Sequence, residues 1–410
     1  MRPARPFHFF FLFFPYGASF GFVLVALPFL AHERGVPVAT IGAVVAKAFL
    51  PHGFKFLWAP IVDTTWTRKG WYFAALTLVA LGTFASMAMP ITPSSIGALS
   101  SVVVASQMGL TLMGMACEGL LGRSIPLERK SVAAGFFQAG SYLGMGIGGA
   151  AAIELVTRFG GAIGGAVLGL AFFACAVPVF FFDEPARDER APFLDQAKGF
   201  VREILAFARS PRGIAVLVIC ISPVGSGSAG NLFTAIADDW HASRELVVLS
   251  NGVLCSLVSA GGAALAGVVT RRMDRRFAYA LGGVLTTASG VLMAVFPRVP
   301  WAYLVFTLAY QAMNGLAYAA FSALAFESAG TGAVATKYNV LASLVNLSVS
   351  YATYIEGRAA ARWSGTGVLL ADAALTALGL CVLAAVVAIT RRLPRREPAP
   401  AGPASSAPPG

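Results

Sequence analysis

Five acidic residues lie inside or at the ends of long apolar stretches of the chain, where a charged side chain is costly. They are Glu118, Glu154, Glu327, Glu356 and Asp372. Burial favours the neutral form of a carboxyl group, so these residues are candidate proton carriers. The alternative is structural pairing, because an arginine follows two of them closely along the chain. We rank Glu356 first because it belongs to a long polar helix.

Polar side chains recur at helical spacing in three of these stretches. The longest stripe is Asn339, Ser343, Asn346, Ser350 and Thr353, which fall within about 80° of one another on a helix. The other two are Gln311–Asn314–Tyr318 and Ser100–Gln107–Thr111–Glu118. Interhelical hydrogen bonds, at about 0.6 kcal/mol each, would account for one short stripe. Three stripes predict a water-filled cavity, since polar groups facing lipid are costly.

The residues predicted to face this cavity are the candidates for binding a solute. They are Tyr16, Lys47, Gln107, Gln138, Asn231, Gln311, Asn314, Asn339 and Asn346. Lys47 lies near the middle of its stretch and either pairs with an acid or binds an anionic group of the solute. Pro51 follows one turn later and predicts a kink, because proline cannot donate to a helical carbonyl.

The composition identifies the class of protein that must position these side chains. Of 410 residues, 57% are hydrophobic and 12% are charged, against about 25% charged in soluble domains. This excludes a soluble enzyme and a disordered chain, and it predicts an all-α membrane protein. A spanning helix needs roughly 20 apolar residues. Twelve such segments, numbered here in chain order, are 7–31, 38–62, 71–90, 96–121, 132–156, 162–182, 213–236, 246–270, 277–296, 301–326, 338–362 and 367–390.

The segments divide into two similar halves. Two features of the first half recur in the second. Segment 1 contains Pro15-Tyr16-Gly17 and segment 7 contains Pro223-Val224-Gly225, while Glu118 near the end of segment 4 corresponds to Glu327 near the end of segment 10. The number of residues between the matched positions is nearly the same in both cases. The sequence therefore predicts two pseudo-symmetric six-helix bundles. The predicted units are an N-terminal bundle at 1–182, a cytoplasmic linker with an amphipathic helix at 183–212, a C-terminal bundle at 213–392 and a disordered cytoplasmic tail at 393–410.

The basic residues predict the orientation of the chain. Most of the 30 lysines and arginines fall in the two terminal segments and in every second loop, and the formal net charge is +11. Loops rich in basic residues stay in the cytoplasm, so both termini are predicted to be cytoplasmic. This placement accounts for the charge, and we expect no nucleic acid partner.

The sequence offers little to an enzymatic hypothesis. Its four histidines are far apart, and it contains no zinc-protease, nucleophile-elbow or phosphate-loop motif. The five cysteines are scattered through apolar segments without metal or redox spacing. We expect no enzyme activity, no cofactor and no metal.

Acidic and basic residues also cluster in the loops after segments 2 and 8. They are Asp63, Arg68, Lys69, Asp274, Arg275 and Arg276. The pattern resembles the loop motif G-x-x-x-D-R-x-G-R-R of the major facilitator superfamily. The resemblance implies a gate that locks neighbouring helices in one state, whereas the simpler alternative is charge that anchors the inner face.

Five short runs carry a finer resemblance. They are 55–63 (KFLWAPIVD), 69–71 (KGW), 319–321 (AAF), 335–338 (ATKY) and 341–344 (LASL). They resemble the AmpG branch of that superfamily, which includes muropeptide permeases, acetyl-coenzyme A transporters and related siderophore permeases. Segment 4 keeps Gln107 but lacks the two acids usual in that branch, and Lys337 replaces a glutamine.

Together these features predict a secondary transporter in a bacterial inner membrane. We expect it to import a small organic solute by alternating access, with the inward movement of a proton as the driving force. We also expect it to work as a monomer in the lipid bilayer. Lys47 and the resemblance favour an anionic solute such as a muropeptide, a siderophore or an acyl-coenzyme A. The alternative is a transporter fold that serves as a non-transporting membrane sensor or assembly partner.

Overall fold

The structure is a computed structural model that describes residues 3–92, 94–126, 129–184, 193–329 and 334–392. The predicted disordered tail at 393–410 and the charged stretch at 185–192 lie outside the described residues. The side chains of Asp63 and Glu327 lie outside them as well. All regular elements of the described part are helices, which confirms the predicted all-α fold class.

The first six predicted segments form helices whose bounds differ from the predicted ones by a few residues. They are His8–Glu33, Val38–Phe54, Ala59–Thr64, Arg68–Ala88, Ile96–Ser124, Lys130–Phe159 and Gly161–Phe181. Segment 2 is interrupted one turn after Pro51, where the 3₁₀ turn Lys55–Leu57 separates its two helices. Its second helix begins with Pro60 in the first turn, where a missing donor is harmless.

The second half follows the linker helix Phe193–Arg209, in which the apolar Val201 and Leu205 are exposed, as in a helix that lies on a membrane surface. Its continuous helices are Arg244–Val247 with Val248–Leu254 and Cys255–Arg272, then Arg275–Val295, Pro300–Ala329 and Val334–Arg392. The last range holds segments 11 and 12, which are divided by the non-helical backbone of Trp363 and Ser364.

Eight helical stretches of the described residues are long and apolar enough to cross a membrane. They are His8–Glu33, Arg68–Ala88, Ile96–Ser124, Val132–Phe159, Gly161–Phe181, Arg244–Thr270, Arg275–Val295 and Asn339–Ile389. The final stretch covers both segments 11 and 12. Segments 2, 7 and 10 fall short of this criterion, and in segments 2 and 7 the reason is that their helices are interrupted.

Polar caps fix the residues at which several helices begin. The hydroxyls of Thr67, Ser210 and Ser243 each accept a hydrogen bond from the backbone N–H three residues later, at 3.0, 2.9 and 3.3 Å. Asp274 accepts from the N–H of Arg276 at 2.8 Å and so caps segment 9. These bonds satisfy donors that a helix leaves free in its first turn.

The two ends of the helical bundle differ in what they contain. We call one the terminal end; it carries residues 3–7, 65–67, 125–126, 129, 182–184 and 273–274. We call the other the loop end; it carries residues 34–37, 89–92, 94–95, 160, 241–243, 296–299 and 363–364.

Segment 7 is the main departure from the predicted helices. A single helix was expected over 213–236, but Pro211–Ile221 ends at Ser222 and a 3₁₀ helix, Ser228–Ala235, follows a break at 222–227. Pro223 cannot donate within a helix, and Gly225 and Gly227 have φ of 56° and 70°, in the left-handed region. The expectation of a continuous helix was therefore wrong at this segment.

Side chains from four neighbouring segments satisfy the carbonyls of this break. Tyr279 donates to Val224 O at 2.8 Å from segment 9, and Asn314 donates to Gly225 O at 3.2 Å from segment 10. Tyr351 donates to Ile221 O at 2.6 Å from segment 11, and Thr376 donates to Pro223 O at 3.5 Å from segment 12. Irregular backbone at membrane depth persists only where the protein supplies such partners.

We therefore expect Tyr279→Phe to lower the free energy of unfolding by about 1–3 kcal/mol, because the buried carbonyl of Val224 would lose its donor. The measurement is thermal unfolding of the purified protein in detergent. Tyr354→Phe removes a hydroxyl from an exposed side chain of segment 11 and is the matched control. Equal melting temperatures for Tyr279→Phe and the unaltered protein would contradict the assigned role.

Candidate functional site

A cavity of about 580 Å³ lies between the two halves, and its lining runs from the middle of the helices toward the terminal end. Seven of the nine predicted solute-binding residues line it: Tyr16, Gln138, Asn231, Gln311, Asn314, Asn339 and Asn346. The polar stripe of segment 10 faces this space, and so do Asn339 and Asn346 of segment 11. The rest of the segment 11 stripe, Ser343, Ser350 and Thr353, is buried and bonds to protein atoms instead. The prediction of a cavity agrees with the structure for these two stripes. Of the segment 4 stripe, Glu118 lines the cavity, whereas Ser100, Gln107 and Thr111 are buried away from it.

The other two predicted residues lie elsewhere. Lys47 is on the exposed side of segment 2, whereas Ala46 and Phe49 face segment 11 and the cavity. One residue along a helix turns a side chain by about 100°, which is enough to separate Lys47 from its neighbour. Gln107 is fully buried behind the wall, where its Oε1 accepts a hydrogen bond from His52 Nε2 at 3.0 Å.

Two residues that the sequence analysis did not select as solute contacts line the cavity beside the interruption in segment 2. His52 lies between Gln107 and Tyr16, whose hydroxyl is 3.4 Å from His52 Nδ1. Lys55 begins the 3₁₀ turn and lines the cavity close enough to Glu118 for their charges to interact. The signal for both was Pro51, because a proline next to polar residues in an apolar helix marks a local change of direction.

The wall from the N-terminal half is largely aromatic. The ring of Phe13 stacks on Tyr16 and Phe137, with ring centroids 4.4 and 3.6 Å apart. Phe20 meets His52 edge to face at 5.1 Å. These contacts fix the rings as a preformed apolar surface that could receive the ring or hydrocarbon part of a solute.

The wall from the C-terminal half is rich in side-chain amides. Six of them line the cavity: Asn231, Asn251, Gln311, Asn314, Asn339 and Asn346. Asn231, Asn314 and Asn346 donate from Nδ2 to protein atoms at 3.0, 3.2 and 3.1 Å. Each then keeps its amide oxygen for a donor on the solute.

The five candidate proton carriers have different surroundings. Glu118 lines the cavity, and Glu154 forms ion pairs with Arg158 and Arg244 at the loop end, both at 2.9 Å. Glu356 and Asp372 come together, fully or almost fully buried, between segments 11 and 12. The side chain of Glu327 is outside the described residues.

Three of the predicted gating residues, Arg68, Lys69 and Asp274, contact their own halves at the terminal end. Backbone N–H groups of Arg68 and Lys69 donate to the carboxylate of Glu184 at 2.8 and 3.1 Å. Lys69 Nζ also donates to the carbonyls of Val179 and Phe182 at the end of segment 6. Asp274 caps the helix that holds Arg275 and Arg276, both of which are exposed.

The halves pack closely toward the loop end. A Cβ built on Gly146 would lie 2.5 Å from Gly252 O and would collide with it, and one on Gly42 would lie 3.0 Å from Gly357 Cα, a tight contact. Ser350 donates to Ala46 O at 2.7 Å. One apolar core joins both halves at this end, while a second cluster lies within the C-terminal half alone.

Two ion pairs bridge the halves at the loop end. They are Glu154–Arg244 at 2.9 Å and His32–Asp238 at 3.3 Å, the second being charged only when the imidazole is protonated. With the glycine contacts, they close the cavity on this side. Glu118, in contrast, is exposed near the terminal end.

Metal ligation has no support among the described residues, which contain no group of three or more histidine, cysteine, aspartate or glutamate side chains placed to hold a metal ion. The five cysteines are all free. The chemistry of the cavity is that of aromatic rings, amides, hydroxyls and the two charges of Lys55 and Glu118.

Comparison with known proteins agrees with this architecture. A variant of the nucleoside transporter NupG superposes with a TM-score of 0.72 at 13% identity, covering 93% of this chain and 99% of that one. A bacterial homologue of the human lysosomal transporter Spinster, in an inward-facing and occupied conformation, superposes with a TM-score of 0.68 at 12% sequence identity. The match covers 97% of this chain and 98% of that one. The peptide transporter POT, solved in complex with sulfate, superposes with a TM-score of 0.68 at 11% sequence identity, and the match covers 94% of each chain.

Sequence identities this low show only that these proteins share a fold with this chain. The family model, in contrast, matches the sequence itself over residues 9–353, which is most of the chain and includes parts of both halves. That model describes the Major Facilitator Superfamily. The chain is therefore an integral membrane protein of a transporter family, and it belongs to the Major Facilitator Superfamily.

Proposed function

We propose that this protein is a secondary active transporter that imports a small organic solute by alternating access. The observation that carries the proposal is the cavity, which draws its lining from both halves and which the described residues close at the loop end. A cavity at the interface between two similar bundles is where rocking of one half against the other would change access.

The direction of transport rests on the charge pattern. Basic residues concentrate at the terminal end, which favours a cytoplasmic location for both termini in a bacterial inner membrane. In that orientation the cavity faces the cytoplasm, and the loop end faces outward. The described state is then the one from which an imported solute leaves. We further propose that the transporter works as a monomer.

The chemistry of the cavity supports a solute with an apolar or ring-shaped part, several hydrogen-bond donors and an anionic group. The aromatic wall would receive the first and the amide oxygens the second. Lys55 takes the role expected of Lys47, because among the described residues it is the lysine that lines the cavity. This combination of aromatic rings, amide oxygens and one lysine, together with the AmpG-like runs of sequence, favours anhydro-muropeptide as the first solute to test. Ferric siderophores and acyl-coenzyme A would follow.

The test is uptake of labelled anhydro-muropeptide into right-side-out vesicles under an imposed inward proton gradient, with and without a protonophore. Uptake that the protonophore abolishes would support the transporter, its direction and its proton coupling together. Binding of the solute without uptake would contradict the proposal and favour a membrane sensor.

Asn346→Leu should abolish this uptake while leaving expression unchanged, because it removes an amide oxygen from the cavity wall and puts an apolar side chain in its place. Tyr354→Leu, on an exposed position of the same helix, is the control and should retain uptake. Uptake by Asn346→Leu at the unaltered rate would assign Asn346 to helix packing.

The glycine contact between segments 2 and 11 provides a test of alternating access. A Cβ on Gly357 would lie 3.1 Å from Gly42 Cα and 3.2 Å from Val38 O, so Gly357→Val should force the halves apart at the loop end. Val36, which is buried there, would be changed to cysteine in a variant without native cysteines. We expect its labelling by a membrane-impermeant maleimide to increase.

Gly135→Val is the matched control for this experiment, because a Cβ at Gly135 meets no atom within 4 Å. It should leave the labelling unchanged. If Gly357→Val left the labelling of the cysteine unchanged as well, the contact between segments 2 and 11 would not be part of the gate.

A further inference from the structure

Two carboxyl groups meet in the interior of the C-terminal half. Glu356 of segment 11 is 0% exposed and Asp372 of segment 12 is 2% exposed. The two carboxyl groups lie close enough for their charges to interact. Placing an ionised carboxylate in the membrane interior costs free energy, so a pair of acidic side chains there needs a physical explanation.

The surroundings of the pair are polar but contain no compensating cation. Ser228 donates a hydrogen bond to Glu356 Oε1, and Asn231 donates to Thr353 at 3.0 Å one turn away. Tyr310, fully buried, is the other titratable side chain that faces the pair. Among the described residues, no lysine, arginine or histidine contributes charge to either carboxyl.

Three polar atoms at this point have no hydrogen-bond partner. They are Glu356 Oε2, Asp372 Oδ1 and the Tyr310 hydroxyl oxygen, all of them buried. Unpaired buried oxygens are costly, and a proton held between the two carboxyl groups would satisfy the two carboxyl oxygens. Two adjacent carboxylates in a low-dielectric site cannot both be ionised, so at least one proton has to stay on the pair.

A chain of hydroxyls connects this pair to the cavity. Ser226 lines the cavity, and its Oγ is 2.8 Å from Ser228 Oγ. Ser228 in turn donates to Glu356. Both serines belong to the break and 3₁₀ helix of segment 7, which separates the pair from the cavity water. The order of contacts is therefore cavity, Ser226, Ser228, Glu356 and Asp372.

We propose that Glu356 and Asp372 form one proton-binding pair that exchanges its proton with the cavity through the hydroxyls of Ser226 and Ser228. For uptake, cavity water gives a proton to Ser226 Oγ, the hydrogen of Ser226 passes to Ser228 Oγ, and that of Ser228 passes to Glu356 Oε1. Each serine ends with one hydrogen, the water loses a proton, and the pair gains it. Release is the reverse sequence.

The role of this exchange in transport rests on the proposed function, but the binding of the proton does not. Infrared spectroscopy of the purified protein in lipid can detect the carbonyl band of a protonated carboxylic acid directly. We expect that band at neutral pH, and we expect the double variant Glu356→Gln, Asp372→Asn to lose it. Absence of the band from the unaltered protein, or its persistence in the double variant, would overturn the proposal.

Glu154→Gln is the matched control, because it removes an acid that is partly exposed and paired with two arginines. The band of the protonated acid should remain in this variant. Its loss would mean that the band arises from Glu154 and would also overturn the assignment to the buried pair.

The relay is tested by the rate at which the band shifts after transfer of the protein into D₂O. Ser228→Ala should slow this shift by about tenfold, because the hydroxyl step is lost. Ser228→Thr restores a hydroxyl and should restore the rate. Ser343→Ala removes a buried hydroxyl that bonds only within its own helix and should have no effect. An unchanged rate in Ser228→Ala would exclude the relay.

Transport measurements separate this inference from the proposed function. The double variant should still exchange labelled anhydro-muropeptide for unlabelled solute across the membrane, but should no longer accumulate it under a proton gradient. Accumulation at the unaltered level would overturn the coupling role of the pair. No uptake by the unaltered protein would refute the proposed solute while leaving the infrared result valid.

Discussion

A peptide carbonyl at membrane depth needs a donor from the protein, because lipid offers none. The break at 222–227 exposes several such carbonyls at once, and segments 9, 10, 11 and 12 each contribute a side chain to satisfy them. These bonds hold four helices around one irregular stretch of backbone. They also fix the positions of Ser226, Ser228 and Asn231, from which the cavity wall and the route to the buried acids are built.

The two halves divide the chemistry of the cavity between them. The N-terminal half supplies rigid rings and the charged residues Lys55 and Glu118, and the C-terminal half supplies amides and, behind its wall, the carboxyl pair. A solute held between these walls would contact both bodies. Its binding energy would then depend on their relative position, which is the condition for a ligand to shift a conformational equilibrium.

Much of the helical architecture could be predicted, because apolar runs of about 20 residues and stripes with a period of 3.6 are local properties of a sequence. The cavity followed from the stripes of segments 10 and 11 in the same way. The orientation of Lys47 could not be predicted in this way. A rotation of about 100° about the helix axis moves a side chain from the cavity to the lipid, and only the packing of the helices fixes that rotation. The meeting of Glu356 with Asp372 depends on the turn at Trp363 and Ser364, which no spacing rule encodes. The break in segment 7 had visible signals in Pro223, Gly225 and Gly227, but neighbouring helices had to supply the donors that make it tolerable.

The closure of the loop end combines contacts that respond differently to the surrounding solution. The glycine contacts between the halves depend on shape and are insensitive to ions. The Glu154–Arg244 pair is partly exposed, and salt at about 0.1 M screens charges beyond about 10 Å and weakens surface pairs. Rising ionic strength at the loop end would therefore weaken one component of the closure and leave the other unchanged. If the protein alternates access in the proposed orientation, the balance between its two access states would be coupled to the salt content of the outer compartment.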